Sequence, residues 1–150
     1  MNGLVDELIQ EASALSTDGV CIRRSSDLPP VMCREHLIRE LLRNLLENAV
    51  KYRGDRAAEI EIGAQPGDIP VFFVRDNGVG IHEADLSRVL SPLTRADGDS
   101  LNAQGTGMGL ALVRAIVERH EGRLHLESER GRGTTVWFSL SEQDEAADLP

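Results

Sequence analysis

Leu41-Leu42-Arg43-Asn44-Leu45-Leu46-Glu47-Asn48-Ala49-Val50-Lys51-Tyr52 reads as a core helix that carries a polar stripe. Leu37, Leu41, Leu45 and Ala49, flanked by Ile38, Leu42, Leu46 and Val50, recur at three- and four-residue spacing, so one broad face is buried. Glu40, Asn44, Asn48 and Lys51 follow at spacings of four, four and three along the edge of that face. Asparagine is a mediocre helix residue, because its amide competes for backbone hydrogen bonds. Two of them one turn apart beside a buried face need partners the helix cannot give. On this helix alone, a pair of satisfied boundary amides and a ligand site are equally good readings.

Outward from this helix, strands and helices are interleaved. Upstream, Leu4, Val5, Leu8, Ile9, Ala12 and Leu15 have the spacing of a short amphipathic helix, which Thr17-Asp18-Gly19 ends. Val20 to Arg24 reads as a strand, and Ser25 to Pro30 as the turn into the central helix. Downstream, Gly54-Asp55-Arg56 closes that helix, and Glu59 to Ala64 alternates like a half-buried strand. Gln65-Pro66-Gly67-Asp68 is a hairpin turn into Val71 to Arg75, a strand buried on both faces for most of its length. Helix-like sequence runs from Glu83 to Leu90. From Ser91 to Gln104 the pattern dissolves around Leu93 and Leu101, a loop length that is usually functional or disordered. A last helix ends at His120, and Arg123 to Ser128 with Thr134 to Leu140 form an antiparallel hairpin. Residues 1–140 are expected to form one domain, and 141–150 an acidic, flexible tail.

The composition narrows the function. A chain of 150 residues with 27% charged and 41% hydrophobic residues has the balance of a soluble globular domain. No apolar run reaches membrane-spanning length and the N-terminus lacks a signal pattern, so the chain reads as cytoplasmic, without membrane insertion. A net charge of −9 argues against nucleic acid as a partner. Any anionic ligand must be met by local donors or a metal. Cys21 and Cys33 lack metal spacing and read as reduced, partly buried thiols.

Two glycine-bearing stretches could meet such a ligand. Asp76-Asn77-Gly78-Val79-Gly80-Ile81 puts a carboxylate at a strand end, followed by glycines that let a ligand approach the backbone. A plain Asn-Gly turn is the alternative, and a calcium loop is disfavoured for want of further acidic ligands. Gly105-Thr106-Gly107-Met108-Gly109-Leu110 opens a helix, where free N–H groups and the positive end of the dipole hold phosphate. It has no Gly-Lys-Ser/Thr ending and no preceding strand, so it is neither a Walker loop nor a dinucleotide fingerprint; a glycine-rich hinge is the alternative.

The order of an Asn-Leu-Leu-x-Asn-Ala-x-Lys-Tyr helix, an Asp-x-Gly-x-Gly-Ile turn, a loose lid and a Gly-Thr-Gly-x-Gly-Leu helix start resembles the ATP-binding domain of sensor histidine kinases. That domain belongs to the group of DNA gyrase, heat-shock chaperone and mismatch-repair ATPases. The resemblance runs from about Leu4 to Leu140. Lys51-Tyr52 and the ending Gly131 to Phe138 look like the kinase branch, and Tyr52-Arg53 looks most like kinases attached to bacterial phytochromes. The resemblance implies an α/β two-layer sandwich of the Bergerat type, with a mixed sheet of about five strands covered on one face by three helices.

It also implies roles for particular residues. Asn48 would hold the magnesium that bridges the ATP phosphates, with Asn44 beside it, Lys51 offsetting phosphate charge and Tyr52 bordering the nucleotide. Asp76 would accept from the adenine amino group, with Gly78, Gly80 and Ile81 close to the base. Gly105, Thr106, Gly107, Met108, Gly109 and Leu110 would surround the phosphates, and Thr135 would complete the binding set. Leu90 to Arg95 falls where such kinases carry Phe-x-x-Phe-x-Arg; both aromatics are Leu here, and Arg95 is a candidate contact to the terminal phosphate. Asn44 stands where the ATPase branches place a water-activating glutamate, and an amide cannot be that base. None of His36, His82, His120 and His125 has the phosphoacceptor's sequence context. The chain is then expected to be a monomer that supplies Mg-ATP to a histidine on a separate dimerisation domain, and through it to a response regulator. Two rivals are a serine-kinase anti-sigma factor of the same fold and a regulatory or phosphatase-biased ATP-binding module.

Overall fold

A computed structural model of the chain describes residues 1–15, 19–89 and 109–141. The elements are α1 (Asn2–Leu15), β1 (Val20–Arg24), α2 (Glu35–Lys51), β2 (Ala58–Gln65), β3 (Val71–Asp76), a 3-10 turn (Glu83–Asp85), α3 (Gly109–Arg119), β4 (Leu124–Glu129) and β5 (Gly133–Ser139). The strands form one sheet in the order β1-β2-β3-β5-β4. β1 lies parallel to β2, and the other neighbours are antiparallel. The expected mixed sheet of five strands with three helices is therefore present.

Side-chain alternation sorts the sheet into two faces. Ile60 and Ile62 of β2, Phe72 and Val74 of β3, and Val136 and Phe138 of β5 point to the helix layer. They pack with Ile38, Leu41, Leu42, Leu45, Leu46 and Ala49 of α2 and with Val113, Ile116 and Val117 of α3. Register places Phe72 opposite Phe138, and their rings stack at 5.6 Å between centroids. On the other face Phe73 meets the Trp137 ring at 5.0 Å, and the Arg75 guanidinium lies over Phe73. α1 is pinned by ion pairs of Arg24 with Asp6 and of Arg39 with Glu7 and Glu11.

α2 begins at Arg34, which is extended and has no side-chain cap. The Arg34 N–H is met instead by Nε2 of the buried His120, at 3.1 Å. Its other ring nitrogen, Nδ1, lies 2.8 Å from the Ile116 carbonyl, so with Nε2 accepting from Arg34 it is Nδ1 that donates. His120 thus has a structural role, joining the end of α3 to the start of α2.

Two expectations need correction. The helix-like stretch from Glu83 is one 3-10 turn, Glu83–Asp85, followed by turns to Val89. Asp85 sits in the middle of its apolar edge, buried and paired with Arg88, and a segment this short cannot offset helix nucleation. Cys21 is exposed, because alternation in β1 turns Val20 and Ile22 inward and Cys21 out. Cys33 is half-buried, and burial pushes its thiol pKa up.

Candidate functional site

α2 presents its polar stripe at the rim of the core. Asn44 and Asn48 are half-buried, and Asn44 Nδ2 donates to the Glu40 carbonyl at 2.8 Å. α3 starts against both amides. A Cβ on Gly109 would lie 3.2 Å from Asn48 Nδ2, 3.4 Å from Asn48 Oδ1 and 3.5 Å from Asn44 Oδ1. Glycine therefore lets a helix N-terminus, whose first N–H groups have no partner within the helix, reach the asparagine pair. Leu110 packs on the core behind it. Lys51 is the last residue of α2 and is exposed, with Nζ 5.9 Å from the centre of the Tyr52 ring.

Tyr52 caps α2 and its carbonyl accepts from Val79 N at 2.9 Å, so the acidic turn after β3 is bonded to the end of the asparagine helix. At the mouth of that turn, Asp76 Oδ1 accepts from Gly78 N at 2.8 Å and from Thr134 N at 3.3 Å. Among the described residues no protein donor meets Oδ2. Burial pushes the Asp76 carboxyl above the usual carboxylate range, against the opposing pull of the Gly78 and Thr134 amides. Such a group, held by one oxygen and short of solvent, can accept a hydrogen bond from a ligand with little reorganisation. Gly80 has φ 73° and a Cβ there would overlap the Glu129 carbonyl; one on Gly78 would press on the Tyr52 carbonyl. The turn is thus wedged between α2 and the β4–β5 hairpin. Ile81 N donates to Ser128 Oγ at 2.7 Å, and Asn77 bridges Glu59 N and the Ala57 carbonyl.

The structure brings Asn44, Asn48, Gly109 and Leu110 together, and Tyr52 together with Asp76, Gly78, Gly80 and Ile81. Thr135 stands apart: it is in register with Arg75, whose Nε reaches Thr135 Oγ1 at 3.4 Å on the face away from the helices. Thr134 takes the place beside Asp76, since successive strand residues point to opposite faces. Its role was not legible before pairing put it opposite Asp76. Arg95, Gly105, Thr106, Gly107 and Met108, with the loop from Ser91 to Gln104 and the tail from 142, lie outside the described residues.

A metal would find oxygen donors here and no cage. Among the described residues no three His, Cys, Asp or Glu side chains converge. A half-buried Asn48 carboxamide suits a hard cation that takes one or two protein oxygens and fills its remaining positions with phosphates and water.

Fold and site together define a two-layer α/β domain whose polar groups gather where α2 and β3 end and α3 begins. The chain belongs to the family described as histidine kinase-, DNA gyrase B-, and HSP90-like ATPase, whose model matches residues 33–144. It is 43% identical over 140 residues to the methanogenesis regulatory histidine kinase FilI of Methanothrix harundinacea, covering 91% of this chain and 16% of that protein. It is 37% identical over 145 residues to cyanobacterial phytochrome B of Nostoc sp., covering 95% and 19%. The chain thus spans less than a fifth of these curated relatives. The solved mycobacterial sensor histidine kinase MprB has a TM-score of 0.79 at 19% identity over 93% of this chain and 94% of that one, a likeness of fold. ShkA, solved full-length in complex with AMPPNP, has a TM-score of 0.76 at 26% identity over 92% of this chain and 29% of that one. The resemblance to histidine-kinase ATP-binding domains, with phytochromes among the relatives, is borne out. Among the described residues no helix is long and apolar enough to cross a membrane.

Proposed function

We propose that this domain, residues 1–140, binds Mg-ATP and presents its γ-phosphate to a histidine on a separate two-helix dimerisation domain, from which a response regulator is served. The observation that carries the reading is the junction of three elements: the Asn44–Asn48 pair of α2, the glycine start of α3 against it, and the Asp76 turn bonded to Tyr52. Asp76 accepts from the adenine amino group, and the close-packed Gly78–Gly80 backbone forms the wall beneath the base. Tyr52 borders the nucleotide. Asn48 holds magnesium, with Asn44 beside it. When bound, the metal neutralises phosphate charge. Lys51 adds positive charge, and the N–H groups at the start of α3 face the phosphates. Phosphoryl transfer asks chiefly for such positioning and charge neutralisation. Arg95 and Gly105 to Met108 complete the phosphate side on this reading, and the domain acts as a cytoplasmic monomer.

Calorimetric titration with ATP, in magnesium and then in EDTA, tests binding. Adding a histidine-bearing two-helix domain with labelled ATP tests transfer. The expected product is phosphate that is lost in acid and survives base; acid-stable phosphate on serine would favour the anti-sigma-factor rival.

A further inference from the structure

Arg56 lies in the connection between α2 and β2, outside every group assigned above. Its Nη2 donates to the Gly131 carbonyl at 2.7 Å and reaches the Gly78 carbonyl at 3.4 Å. Gly131 N in turn donates to the Val79 carbonyl at 2.7 Å, and Val79 N to the Tyr52 carbonyl at 2.9 Å. With the covalent run from Tyr52 to Arg56, these bonds close a ring through the end of α2, the Asp76–Gly80 turn and the β4–β5 turn. Gly78 is the pivot. Its carbonyl is reached by Arg56 and its N–H holds Asp76 Oδ1 at 2.8 Å, so the two peptide planes that meet at its Cα link the guanidinium to the carboxylate.

Arg56 and Gly131 are exposed. Water could satisfy the Gly131 carbonyl if the guanidinium left, so the bond adds little to folding. A water could bridge the two carbonyls as well, but it would not tether them to the Tyr52–Arg56 segment as the guanidinium does. A guanidinium presents several N–H groups in a fixed plane, whereas an ammonium is a single point of charge.

We infer that Arg56 is a positioning residue that restrains the Gly78 carbonyl, and through the Gly78 backbone the Asp76 carboxylate, for recognition of the base. The inference rests on the reading of Asp76 as the group that meets adenine. The experiment measures ATP and GTP affinities calorimetrically on the full chain, for the unsubstituted protein, Arg56→Met, Arg56→Lys and Asp76→Asn. Arg56→Met should lose about three- to tenfold in ATP affinity and lose less for GTP, so that the ATP-to-GTP preference shrinks. Arg56→Lys, which keeps one charged donor for Gly131, should recover part of that preference. An unchanged preference in Arg56→Met overturns the inference, whatever happens to its melting temperature. If Asp76→Asn shifts the preference and Arg56→Met does not, only the role of Arg56 falls. If neither shifts it, the reading of Asp76 falls and the inference with it.

Discussion

Asp76→Asn should separate binding from folding, because it moves the two in opposite directions. The substitution keeps the shape of the side chain, and an amide oxygen can go on accepting from Gly78 N and Thr134 N as Oδ1 does now. The second position changes from acceptor to donor and would face the adenine amino group donor to donor. A hydrogen bond to a charged group contributes about 1.5–3 kcal/mol, so ATP affinity should fall by roughly ten- to a hundredfold. GTP presents a carbonyl at that ring position and should lose less. Stability follows the other sign. Burial raises the Asp76 carboxyl pKa, so the folded protein binds its proton more tightly than the unfolded chain. Folding stability therefore falls as pH rises from the ordinary carboxylate pKa through the raised folded value, and the full cost is in force above that value. Asparagine carries no such cost. The ligand-free variant should melt at the same or a higher temperature at pH 7, and any gain should fade as pH drops through the raised folded value and be gone below about 4. Calorimetry with both nucleotides and thermal melts across pH supply the two readings. Equal losses for ATP and GTP, or a lowered melting temperature with ATP affinity intact, would refute the reasoning.

Asn48→Ala should abolish the magnesium-dependent part of ATP binding while moving stability by about 1 kcal/mol or less, since alanine is the better helix former; titrations in magnesium and in EDTA check it. Gly109→Ala should leave the melting temperature unchanged or raised and lower Mg-ATP affinity, because the new methyl must displace the Asn48 amide; a variant that binds normally would sink that account. His120→Ala removes a buried ring and its hydrogen bonds to the Arg34 N–H and the Ile116 carbonyl, so urea unfolding should show a loss of about 2–4 kcal/mol. The chain alone, incubated with labelled ATP, should bind it, hydrolyse it very slowly and not label itself; efficient labelling of any of its histidines would overturn the division of labour proposed here.

Much of the fold was legible because its signals are local. The leucine spacing of α2, the alternation of β2 and the hairpin turn at Gln65 to Asp68 each specify an element from a few adjacent residues, and the structure adds only a residue or two at the ends. Candidate residues that sit in one run, as in Asn44 to Tyr52 and Asp76 to Ile81, also lie close together in the structure. What sequence could not place depends on pairing. Thr135 and Thr134 look alike in sequence, and only the β3–β5 register decides which faces Asp76. The bridge from Arg56 to Gly131 joins residues far apart in the chain, with no periodicity to announce it. The turn at Glu83 misled for the opposite reason. Its local pattern was helical, but the described stretch is too short to offset helix nucleation, and its apolar edge contains the buried Asp85.

The direction of the elements bears on how a nucleotide would lie. α2 ends at the site and α3 begins there, so the negative end of one helix dipole and the positive end of the other meet at the Asn48–Gly109 contact. An anion is drawn to the start of α3, while donors and cations are drawn to the end of α2, where the Asp76 carboxylate also lies and Lys51 is placed in the last turn. In a chain of net charge −9 the surface as a whole repels phosphate, so this local gradient must do the orienting. It favours one direction of entry, with the base at the acceptor-rich end by Asp76 and the phosphates over Asn48 and Gly109. Reversed, the phosphates would meet a half-buried carboxylate and a helix C-terminus, and the adenine amino group would face N–H donors. The fold thus supplies polarity as well as residues. On the proposed function, the direction of α2 and α3 at the site would also set which end of a bound ATP faces a partner's histidine.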